Sequence, residues 1–149
     1  MAGNSPLFYA LIMFATGVGI PIMAALNGGL GGQLGSPAAA ATILFLTALT
    51  VSAAVMLATG LPAASSWRSG APVLYAGGLF VAFYVLSITW IAPRFGVANA
   101  VFFVLIGQIM AAAVIDHFGL LGAPRAPIDM RRAAGIVLMA AGIYFARRT

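Results

Sequence analysis

Five apolar stretches, each close to twenty residues long, take up nearly the whole chain, and its few charges fall almost entirely in the gaps between them. A helix rises about 1.5 Å per residue, so about twenty residues cross a hydrocarbon core of roughly 30 Å. Lipid offers no partner to a free backbone amide, which restricts a spanning chain to helices or a closed barrel. Continuous apolar runs, rather than a period-two alternation, exclude the barrel. The expected fold is all-α: a polytopic membrane protein of five transmembrane helices, forming one domain over the full 149 residues.

The spans are expected from Leu7 to Leu26, Ala38 to Thr59, Ala71 to Ala92, Val97 to Phe118, and Arg132 to Phe145 or slightly beyond, reaching residue 147. The connections between them are short and rich in turn formers. Asn27 to Pro37 is glycine-heavy, Leu61 to Gly70 holds Pro62 and three serines, Pro93 to Gly96 is tight, and Gly119 to Met130 includes Pro124 and Pro127. No soluble domain fits between them.

A net charge of +5 would ordinarily raise the question of a nucleic-acid partner, but the seven basic residues are all arginines and never more than two are adjacent. They read as membrane flanks, and no nucleic acid is expected. The face that holds the N-terminus, face A, also holds Arg68, Arg125, Arg131 and Arg132; face B holds Arg94, Arg147 and Arg148. Four against three gives the chain almost no instruction on which way to insert, because orientation follows the arginine and lysine bias. Two oppositely inserted copies would make a ten-helix dimer with inverted symmetry, the arrangement that many secondary transporters reach within one chain. Tyr9, Trp67 and Tyr75 near face A, with Trp90 and Tyr144 near face B, read as interface anchors.

Few residues are equipped for chemistry. Pro21 lies inside span one, where it removes a helical hydrogen bond to Gly17 and is a candidate hinge, packing being the alternative. The run from Asn27 to Gly35 lacks the Lys-Ser/Thr end of a phosphate loop, so no nucleotide cofactor is expected; its small residues suit close helix approach or a re-entrant turn, with Asn27 as a helix cap. Gln108 sits near the middle of span four, where an amide needs a partner: either a substrate or a neighbouring helix. Tyr84, mid-way along span three, is the partner the sequence offers it. Asp116, the one acid in or near a span, is a candidate coupling group or else an ordinary salt-bridge partner for the arginines of its face. His117 beside it tunes that carboxyl or faces headgroups, and Asp129 reads as the cap of the last helix. One histidine, two aspartates, no glutamate and no cysteine make an enzyme or a metal site hard to build, and neither is expected.

These residues resemble the short, five-span branch of the drug/metabolite transporter superfamily, bacterial inner-membrane proteins of largely undefined substrate. The resemblance covers nearly the whole chain. It rests on Pro21 followed by Ala24, Ala25, Leu26, Asn27, Leu30 and Gly31, on Gly35-Ser36-Pro37 opening span two, and on Gly77-Gly78 with Tyr84. Ala92-Pro93 with Gly96, Gly107-Gln108, and Asp116 with Phe118-Gly119 and Gly122 follow in the same order. One position departs: Met23 stands where this family often has glutamine, so a polar path lined by that glutamine would lack one contact here. The related small multidrug exporters use a span-one glutamate for proton exchange, and nothing in span one replaces it.

The resemblance implies export of a small molecule through a dimer or a paired ten-span assembly in the bacterial inner membrane. The expected protein is a secondary transporter working by alternating access, with Pro21 as hinge, Asn27 and Gln108 as substrate contacts, Tyr84 as a wall and Asp116 as coupling group. So little polar surface suits a small, neutral or amphipathic cargo. The rivals are a non-transporting membrane subunit or assembly scaffold, whose small-residue faces only dock other helices, and a carrier of membrane lipid.

Overall fold

The computed structural model describes residues 5–146. Five α-helices follow one another: α1 (Pro6–Gln33), α2 (Pro37–Thr59), α3 (Gly77–Phe95), α4 (Val97–Phe118) and α5 (Met130–Ala146). Short 3-10 turns occupy Ala64–Arg68, Pro72–Ala76 and Leu120–Gly122, and there is no strand among the described residues. Four stretches are long and apolar enough to cross a membrane: α1, α2, Pro72–Phe95 and α4. They measure about 33–42 Å at the helical rise of 1.5 Å per residue. The fifth helix is described for 17 residues, or about 25 Å. Arg147 and Arg148, assigned to face B above, lie outside the described residues.

The chain divides into two compact units, one running to Arg94 and the other beginning at Phe95. In the first, α1 is longer than its apolar stretch. The glycine-rich segment expected to be a connection continues the helix as far as Gln33. In water each glycine would weaken a helix by about 1 kcal/mol relative to alanine, but in lipid an uncoiled backbone has nowhere to place its amides. The glycines also let the helix pack. Ala24, Asn27, Gly28 and Gly31 recur at the three- and four-residue spacing of one helical face, and all four are buried. A Cβ at Gly28 would meet Pro93 Cγ of α3 at 3.0 Å. At Gly31 it would meet Pro37 Cα of α2 and Thr89 Cγ2 of α3, both at 3.3 Å. Ala40 and Ala41 on α2, and Val85, Ile88, Thr89 and Ala92 on α3, complete the buried set of this unit.

The helix starts are written in the sequence. Ser5 and Ser36 each precede a proline at the first helical position, and each hydroxyl accepts from the amide three residues on, Phe8 at 3.3 Å and Ala39 at 3.2 Å. Gly35 reverses the chain between α1 and α2 with φ of 63°, a value costly for any residue with a Cβ. Between α2 and α3, the Tyr75 hydroxyl donates to the Trp67 carbonyl at 2.9 Å and accepts from the Gly70 amide at 3.2 Å. Tyr75 thus closes its own connection.

In the second unit, Gly119 ends α4 in the left-handed conformation, φ 65°. Asp129 caps α5 as expected, its carboxylate accepting from the Arg132 amide at 2.7 Å. Ile106, Ile109 and Met110 of α4 border a cavity of about 110 Å³ with Ile136, Val137 and Ala140 of α5.

Glycine at the α1 junction is a steric requirement, so its replacement has a definite cost. Gly31→Val should lower stability by about 1–3 kcal/mol, the usual cost of overfilling a packed site. Gly29→Ala, where an added Cβ meets nothing within 4 Å, should leave it unchanged or raise it by up to about 1 kcal/mol. Thermal unfolding of the purified protein in mild detergent measures both.

Candidate functional site

The packing of α1 against α3 brings two polar side chains together. Asn27 Nδ2 donates to Thr89 Oγ1 at 2.5 Å, and the two residues are only 5% and 1% exposed. Burying an amide in an apolar surround without a partner costs about 1–3 kcal/mol, so the pair fixes the register of α1 on α3. Asn27 is therefore not a cap: it lies inside α1, six residues before the helix ends at Gln33.

On its other side Asn27 lines an open groove of about 690 Å³ between α1 and α2. Met23, Leu26 and Leu30 of α1 line it with Asn27, and Ile43, Leu44, Thr47, Val51 and Ser52 are among the α2 residues opposite. Thr47 returns its hydroxyl to the carbonyl of Ile43 at 3.0 Å, and Ser52 returns its own to Leu49 at 3.1 Å. Both are spent on their own helix. An amide has two N–H donors and an acceptor oxygen, so the one bond to Thr89 leaves Asn27 with hydrogen-bonding capacity to offer. No charged residue lines the groove. Met23, the position where glutamine was the family expectation, is part of this lining and makes it more apolar.

The other candidates occupy different surroundings. α1 continues through Pro21. Tyr84 is half-buried on α3, and its enclosed hydroxyl has no hydrogen-bond partner among the described residues. Gln108 belongs to the second unit, where it is exposed on α4 and makes no hydrogen bond among the described residues. Asp116, in the same unit, takes the salt-bridge alternative: its Oδ2 lies 2.5 Å from Arg132 NH2, with each side chain 35% exposed. No group of three or more histidine, cysteine or acidic residues that would hold a metal occurs among the described residues.

Thr89 was not anticipated. A lone threonine in an apolar span ordinarily returns its hydroxyl to the preceding turn, as Thr16, Thr42 and Thr47 do here. The available signal was its alignment with Val85 and Ala92 on one face of α3, one turn before Pro93.

No curated protein and no solved structure matches the chain. A family model described as "Putative inner membrane exporter, YdcZ" matches residues 8–145. The four long apolar helices fit that description, and a match over all but the ends of the sequence identifies this chain as a multi-pass inner-membrane protein belonging to the YdcZ exporter family.

Proposed function

We propose that the chain exports a small, neutral, amphipathic molecule held in the groove between α1 and α2. The observation that carries this reading is the composition of that groove: an apolar trough with one amide, Asn27, and no charge. Small-molecule sites are mostly apolar with a few placed polar groups that fix orientation. A cation or anion entering such a trough would lose its hydration and gain no counter-charge. A cargo with an apolar body and a single hydroxyl or amide would lose little.

In this reading five spans from each of two copies form a dimer, inserted in opposite directions, and the assembly works by alternating access. The near-tie of arginines favours that arrangement. Pro21 is the hinge of α1, two residues before the groove begins at Met23. Tyr84, with its unsatisfied hydroxyl, and Gln108, an exposed amide in a span, are the further polar contacts available to cargo or partner. Asp116 is the group left for coupling, and releasing it requires parting it from Arg132. The same apolar lining also suits a lipid tail, which makes lipid carriage the second reading.

Four outcomes follow. Proteoliposomes should accumulate radiolabelled neutral amphipathic alcohols and amides but not ethidium. Asn27→Leu should lower that uptake at least tenfold while the protein remains assembled; movement of a fluorescent phospholipid instead of the soluble probes would select lipid carriage, and movement of neither would select the scaffold. Thr89→Val, which strips Asn27 of its partner, should cost about 1 kcal/mol in detergent unfolding. Finally, a cysteine at Ser66 in this cysteine-free chain should label partly from each side of the membrane in intact cells; labelling from one side alone would exclude the inverted dimer.

A further inference from the structure

We propose that His117 is a pH-sensitive latch on the segment that joins α4 to α5. This segment, residues 119–129, folds back along the last turn of α4 and is held there by bonds converging on two consecutive residues. The Asp116 carbonyl accepts from the Ala126 amide at 2.7 Å, and the His117 carbonyl accepts from Arg125 Nε at 3.4 Å. The His117 ring itself accepts from the Ile128 amide, Nδ1 to N, at 3.0 Å. Arg132 ties the first turn of α5 to the same place, through its ion pair with Asp116 and a 3.1 Å bond from NH1 to the Ala126 carbonyl.

Of these holds, the one made by the imidazole ring has a proton-dependent sign. An acceptor nitrogen carries no hydrogen, so the bond from Ile128 fixes the neutral tautomer with its proton on Nε2. Protonation places a hydrogen on Nδ1 as well. Two N–H groups then face each other, and the Ile128 amide, part-buried, loses its acceptor. The charged groups on the elements that the latch joins are Asp116 on the helix of His117, Arg125 on the segment, and Asp129, Arg131 and Arg132 at the start of α5. The arginines stay charged at any relevant pH. Asp116 Oδ2 is engaged by the Arg132 guanidinium and Asp129 Oδ1 by the Arg132 amide; a new Nδ1 hydrogen that turned to either carboxylate would still have left Ile128, so the latch opens in either case. Histidine changes charge between about pH 5 and pH 8. The latch is closed while the ring is neutral and open once it is protonated, and opening it frees the path into α5 while the Asp116 to Arg132 pair persists.

The test needs no transport assay, so its result is independent of the exporter reading. Amide hydrogen exchange is followed on the full chain in nanodiscs, with protection at Ile128 expressed relative to the unstructured rate at each pH. The chain has a single histidine, so its imidazole ¹⁵N signals report titration without ambiguity. Protection at Ile128 should fall about tenfold from about pH 8 to about pH 5.5, with the same midpoint as the Nδ1 titration. In His117→Asn a carbonyl oxygen takes the place of Nδ1 and does not titrate, so protection should be retained at both pH values. Protection in the wild type that ignores pH, or an equal fall in His117→Asn, overturns the latch. Should His117→Asn not fold, the wild-type midpoints alone decide: disagreement between exchange and titration overturns it.

Discussion

The hydrogen bond from Asn27 to Thr89 requires α1 and α3 to touch at backbone distance, and the buried residues of α1 and α3 lie around that contact. In lipid, helices gain little from hiding apolar surface from one another; close packing and interhelical hydrogen bonds hold them instead. Glycine at 28 and 31 provides the approach, with Pro93, Pro37 and Thr89 filling the space a side chain would need. The alanines at 24, 40, 41 and 92 extend the same small-residue seam. One polar pair inside such a seam specifies which turn of α1 meets which turn of α3, since any slip along the axis would strand both groups. Asn27 belongs both to this seam and to the lining of the α1–α2 groove.

What the sequence made legible was set by local chemistry. Apolar length reports four spans directly, because lipid leaves the backbone no alternative to a helix. Ser36-Pro37 and Asp129 announce helix starts, since the capping oxygen and the amide it serves lie three residues apart. The glycine run after Leu26 misled for a reason equally physical: glycine is a turn former in water, but here its lack of a side chain serves packing and the helix simply continues. Thr89 and the bond from Ile128 to His117 were out of reach because they depend on which surfaces meet. Asn27 was legible as a polar residue worth attention, and its partner was not.

The second unit uses charge where the first uses small size. Asp116, Arg132, Asp129 and Arg125 close the turn between α4 and α5: one ion pair balances two charges, and three further bonds occupy backbone groups. Asp116 is a structural member of that turn. The first-unit groove, by contrast, has no ionisable lining residue. Handling of the protein's few charges and handling of apolar surface are thus assigned to different stretches of chain.

The length of α1 sets how far that groove reaches. Asn27 stands about 32 Å along the helix from Pro6 and about 9 Å short of Gln33, well away from the centre of a membrane-spanning rod. The lining runs from Met23 to Leu30 on one side and from Ile43 to Ser52 on the other, about 10–14 Å of helix, or close to half of a roughly 30 Å hydrocarbon core. It is a trough about as long as one leaflet is thick, with its amide near the middle of the α1 side. A groove of that length is too short to reach, by itself, from one face of a hydrocarbon core to the other.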